Sequence, residues 1–127
     1  MDLSEFAIAA GPPIGVQPID DAVTQTGLKL QDGDYFTHRV EGDSMRDAAV
    51  LDGDSLLVRR QANARDSDIV VATIPDEITG DRRATVKRLS LRDGRARLLP
   101  ENPAYEPIEN EQLTIIGKVM GLWRDLV

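Results

Sequence analysis

Residues 36–60 read F-T-H-R-V-E-G-D-S-M-R-D-A-A-V-L-D-G-D-S-L-L-V-R-R. Two apolar, strand-like runs, 38–40 and 55–58, flank a turn-rich segment in which Ser44 stands behind Gly42 and Asp43. A serine so placed is predicted to project from a tight loop at the edge of a sheet. Glycine suits that position because backbone N–H groups beside the serine have to converge on one point, which side chains would obstruct. Farther on, Lys87 interrupts an apolar strand pattern, A-T-V-K-R-L over 84–89. An alternating sheet aims such a residue at its interior or at solvent, depending on register.

The rest of the chain extends this pattern. A strand is predicted from Tyr35 to Val40, another over 55–60, and a continuous apolar run at 69–74 (I-V-V-A-T-I) reads as a buried strand. Residues 75–83 are polar, contain Gly80 and predict a hairpin loop into a strand over 84–91. A turn at 92–95 leads to a strand over 96–99, and 100–108 form a proline-punctuated loop. Residues 113–119 and 120–127 supply one or two final strands. Before all of these, residues 1–17 read as an arm, because Gly11-Pro12-Pro13-Ile14-Gly15 cannot continue a helix. A short helix is predicted from near Asp20 to a cap at Gly27. The expected fold is a mainly β domain of several short, twisted antiparallel strands and hairpins with little helix, formed by residues 18–127 behind the arm.

Composition narrows the function. A chain of 127 residues supports one domain. Aromatic residues make up 4%, too few for base-stacking platforms, and a net charge of -7 opposes gripping a phosphate backbone. The chain is therefore expected not to bind DNA directly. The absence of cysteine excludes disulfides and thiolate catalysis and fits a cytoplasmic protein, and no apolar run is long enough for a membrane span. Asp52-Gly53-Asp54 reads as a turn, since three residues cannot supply the six oxygens of a cation site. No metal or cofactor is expected.

Of the groups able to activate a serine, His38 is the lone histidine, and alternation sets it with Phe36 and Val40 on one strand face, where a structural role is expected. Lys87 can act if it is neutral, which requires its pKa to fall by about 3 units. Thr85, Lys87 and Leu89 share one face of their strand, with Val86 and Arg88 on the other. If the first face is the core the amine is desolvated; in the opposite register it is solvated.

Taken together, the blocks I-A-A-G (8–11), V-E-G-D-S-M (40–45), V-L-D-G-D (50–54), the I-V-V-A strand, A-T-V-K-R-L (84–89), L-L-P-E-N-P-A-Y-E-P-I (98–108) and I-I-G-K-V (115–119) resemble, in order and over nearly the whole chain, the C-terminal self-cleaving domain of LexA-type repressors, a group that includes UmuD proteins and lambdoid phage repressors. The resemblance implies a Ser-Lys dyad in which Ser44 is the nucleophile and Lys87 the general base. It implies intramolecular cleavage between Ala10 and Gly11, with an oxyanion hole from the Ser44 amide and a neighbouring amide of Gly42 or Asp43. It further implies stimulation by the RecA filament on single-stranded DNA and a homodimer formed through residues 115–119 and 120–127. Only ten residues precede the Ala-Gly bond, so no helix-turn-helix domain is expected here: either a repressor's catalytic part or a short UmuD-like protein, the Ala-Gly bond favouring the former. A non-catalytic dimerisation module is the alternative from another class, and an in-trans protease of the signal-peptidase type would call for a membrane anchor. Two further features bear on cleavage: Pro12 and Pro13 follow Gly11, and the 75–83 loop is long for the family.

Overall fold

In a computed structural model, residues 16–18 and 34–126 are described. They form a seven-stranded antiparallel sheet. The strands are β1 (Val16–Pro18), β2 (Tyr35–Arg39), β3 (Ser55–Arg60), β4 (Ile69–Pro75), β5 (Arg82–Arg92), β6 (Arg95–Leu99) and β7 (Thr114–Trp123), with a single 3-10 turn at Arg46–Ala48. Their spatial order is β1-β2-β3-β7-β4-β5-β6. The mainly β reading is thus correct. The predicted helix near Asp20 and the candidate cleavage bond at Ala10–Gly11 lie outside the described residues.

Two boundaries differ from the sequence reading, and the choice it left between one and two final strands falls to one. Val16 and Gln17, read as arm, belong to β1, where Val16 pairs with His38; three residues ending in proline are too short for a period to be seen. The 75–83 loop is shorter than its composition suggested, because Pro75 pairs with Arg82 and both strands run on to residues 76–81. Asp76 closes that turn, its Oδ1 accepting the Ile78 and Thr79 amides at 2.8 and 3.1 Å. The tail is one strand, β7, which spans β3 and β4 by bulging. Leu57 faces Gly121 while Val58 faces Val119, leaving Met120 extra; Val71 faces Gly117 while Ala72 faces Ile115, leaving Ile116 extra. Each bulge bends the strand without ending it.

Apolar side chains cover both faces of the central strands. Val71 and Val86 pack with Phe36, Met45, Leu56, Val58 and Ile116, whereas Val70, Ala72 and Ile74 pack with Leu89 and Leu98 on the opposite face. A strand buried on both faces reads as a continuous apolar run, which is why 69–74 lacks alternation. Gly117 lies where β7 crosses β3: a Cβ there would overlap Val58 Cγ1 and lie 2.6 Å from Arg59 O. Among the described residues no helix is long and apolar enough to cross a membrane.

Candidate active site

Ser44 and Lys87, 43 residues apart, meet: Nζ of Lys87 lies 2.8 Å from Oγ of Ser44. In sheet order β2, which leads to Ser44, is four strand spacings from β5, which carries Lys87. Flat, that is about 19 Å. The sheet therefore curls until the ends of β2 and β5 face each other across a cleft of about 640 Å³. His38, Arg39, Ser44, Arg83, Lys87 and Tyr105 are among its lining residues.

Lys87 is only 8% exposed. Its face of β5 is shared with Leu89, and its cross-strand partner is Val70, both fully buried. The two registers left open by the sequence do not compete, because Val86 on the other face is buried as well. Burial, followed by the positive charge of Arg83, lowers the Lys87 pKa from 10.5 to about 8. Two further acceptors surround the amine: Thr85 Oγ1 at 2.7 Å and the Val86 carbonyl at 3.1 Å. A neutral amine has two N–H bonds and one lone pair. With both N–H groups given to Thr85 and Val86, the lone pair faces the Ser44 hydroxyl, the arrangement needed to take its proton.

The Ser44 loop is held from several sides. Gly42 adopts φ +84°, a left-handed conformation that disfavours other residues, and its N–H donates to Asp52 Oδ1 at 2.8 Å. The Asp43 carbonyl accepts from Asn102 Nδ2 at 2.9 Å, and its carboxylate accepts from Tyr105 OH at 2.5 Å. Met45 anchors the loop in the core at 2% exposure. Of the three amides proposed for an oxyanion hole, that of Gly42 is thus committed to Asp52. Those of Asp43 and Ser44 have no acceptor among the described residues.

The Asp52-Gly53-Asp54 turn has a structural use. Besides Asp52 on Gly42, the buried Asp54 carboxylate accepts the Leu51 amide at 2.8 Å and pairs with Arg124 at 2.7 Å. Desolvation pushes the Asp54 pKa up, but the hydrogen bonds from Arg124 and Leu51 outweigh it and hold the group below its ordinary value. His38, 7% exposed, is kept neutral by desolvation, which lowers its pKa to about 4, and its Nδ1 has no hydrogen-bond partner among the described residues. It lies in the cleft wall with no bond to Ser44 among the described residues. The sequence reading placed Thr85 on the Lys87 face and Asp52 in a turn but gave neither a part in the site, and it gave Asn102 and Tyr105 none. The signals for them were membership of the A-T-V-K, D-G-D and P-E-N-P-A-Y blocks and, for Thr85, strand alternation, which name positions and faces but not partners.

The family model described as Peptidase S24-like matches residues 3–120. Among similar proteins is a LexA repressor of Pseudarthrobacter chlorophenolicus, 44% identical over 118 residues that make up 93% of this chain and 45% of that protein. A LexA repressor of Streptomyces coelicolor is 42% identical over 116 residues, 91% of this chain and 47% of its own. One from Bifidobacterium longum is 43% identical over 120 residues, 94% and 47%. The chain spans about half the length of the curated relatives it matches.

Proposed function

The chain belongs to the Peptidase S24-like family, and on that premise we propose that it is the self-cleaving part of a LexA-type repressor, cutting its own Ala10–Gly11 bond with Ser44 as nucleophile and Lys87 as general base. The observation that carries this reading is the 2.8 Å contact between a nearly dry lysine amine and a serine hydroxyl at the floor of a cleft. A serine is a weak nucleophile until a base takes its proton, and a lysine is a base only when neutral.

The reaction follows from these groups. With the arm in the cleft, Ser44 Oγ gives its proton to Lys87 Nζ and attacks the Ala10 carbonyl carbon. The resulting oxyanion is met by the amides of Ser44 and Asp43. Collapse breaks the C–N bond, and Lys87 returns the proton to the departing Gly11 nitrogen. Lys87 then deprotonates a water that opens the Ala10–Ser44 ester, releasing a peptide that ends in the Ala10 carboxylate and restoring the hydroxyl. Tethering the bond to its own catalyst supplies a high effective concentration, so the cleft need not bind foreign peptides well.

On this reading the trigger is a population shift: a RecA filament on single-stranded DNA needs only to prefer the state with the arm docked. Cleavage would then inactivate a dimeric repressor and release DNA-damage genes. The dimer surface in this reading is the exposed part of β7 and the residues after it, where Met120, Leu122 and Leu126 are 43%, 40% and 91% exposed. β4 pairs with β7 only as far as Lys118, so from Val119 to Leu122 the strand is paired to β3 alone and its other side is open among the described residues. Incubating the purified chain at about pH 9–10, where the amine is neutral, is expected to release residues 1–10, identified by mass spectrometry, with Ser44→Ala and Lys87→Ala staying whole. A folded chain that remains intact under alkali and with activated RecA would overturn the reading and leave a dimerisation module.

A further inference from the structure

The nucleophile and the base sit on separate elements, and something has to hold them 2.8 Å apart. The segment after β6 touches both. The Glu101 amide donates to the Ser44 carbonyl at 2.8 Å, and the Glu101 carbonyl accepts the Asp47 amide at 2.8 Å, so one peptide unit on each side of Glu101 grips the loop just before and just after Met45. The same residue's carboxylate accepts Arg88 Nε at 2.6 Å, and Arg88 follows Lys87 directly on β5. Arg88 is fixed at its other end, where Nη1 donates to the Ser67 carbonyl at 2.7 Å. Side-chain exposures of 32% and 34% set this pair between buried and surface cases.

We propose that Glu101 is a positioning residue for the Ser44–Lys87 pair, clasping the serine loop with its backbone and the lysine strand with its carboxylate through Arg88. The inference rests on the self-cleaving reading of the site. A lysine amine on a flexible stem and a serine on a turn each lose alignment easily, and a displacement of about 1 Å is enough to lower a rate a hundredfold. Glu101 makes the two move as one body. Its place between Pro100 and Asn102 serves this purpose: the proline fixes the entry of the loop, and buried Asn102 extends the grip to the Asp43 carbonyl.

The test compares Glu101→Gln, which keeps shape and backbone but removes the charge, with the reversed pair Arg88→Glu/Glu101→Arg. Alkaline self-cleavage is followed by mass spectrometry, and thermal melting reports the folded fraction. Glu101→Gln is expected to cut about five- to tenfold more slowly while fully folded, the loss of one charge-assisted hydrogen bond of partial exposure. The reversed pair restores the charge pair but not the donor to the Ser67 carbonyl, so it should recover part of the rate. Glu101→Gln cutting within twofold of the parent, or a folded reversed pair no faster than Glu101→Gln, overturns the proposal; if the reversed pair does not fold, Glu101→Gln alone decides. Should the parent itself stay whole, the cleavage reading fails separately. Hydrogen exchange at the Asp47 amide then decides the clasp: roughly fivefold or more faster in Glu101→Gln supports it, unchanged exchange overturns it.

Discussion

Replacing Lys87 by methionine tests the desolvated amine independently of any cleavage. In a Ser44→Ala background, where the chain is not expected to cut itself, stability is measured by urea unfolding from pH 7 to 11, with and without Lys87→Met. The folded pKa of about 8 lies below the ordinary 10.5. Between those values the unfolded chain holds more protons than the folded one, so stability conferred by residue 87 rises with pH across that window. A separation of that size corresponds to about 3 kcal/mol at one pH unit per 1.36 kcal/mol. Below pH 8 the lysine chain carries the whole desolvation cost; above pH 10.5 almost none remains. Methionine, similar in length and uncharged, carries none at any pH. Losing the bonds to Thr85 and Val86 adds an offset that does not follow pH in this window. The lysine chain should therefore gain roughly 2–3 kcal/mol on the methionine chain between pH 7 and 11. A difference that stays flat to within about 0.5 kcal/mol, the scale of an ordinary surface substitution, would show the amine to be hydrated and remove the physical basis for a lysine base.

His38 should make the fold acid-sensitive in the opposite range: with its pKa near 4 instead of 6.5, its contribution is complete above pH 6.5 and is lost as pH falls toward 4. His38→Leu should flatten the urea midpoint over that interval. Thr85→Val removes the hydroxyl that orients Lys87 Nζ and is expected to slow alkaline self-cleavage about five- to tenfold, the worth of one hydrogen bond between neutral groups, with thermal melting little changed. Gly117→Ala, which drives a methyl into Val58 and the Arg59 carbonyl, should cost about 1–3 kcal/mol in urea unfolding, without altering the Lys87-dependent pH slope.

Much of this protein is written locally. Alternating or continuous apolar runs punctuated by Asp-Gly and proline segments locate six of the seven strands to within a few residues, because strand formation depends on a two-residue period and on turn chemistry. Gly42 and Asp43 ahead of Ser44 mark the turn for the same reason. The residue types alone leave one histidine and three lysines as possible bases, with Lys87 and Lys118 both inside strand patterns, and it is the family resemblance that selects Lys87. What remained open was every relation between distant segments. Whether Lys87 is dry depends on which elements cover the two faces of β5, and both turn out to be covered. The meeting of Ser44 with Lys87 depends on strand order and on the curl that brings β2 round to β5, properties of the whole sheet that no window of sequence contains. That the Gly42 amide is taken by Asp52, and that Glu101 reaches both the serine loop and Arg88, are likewise matters of a few ångströms between residues far apart along the chain. Periodicity assigns a residue to a face; only the closed fold determines which atoms lie opposite it.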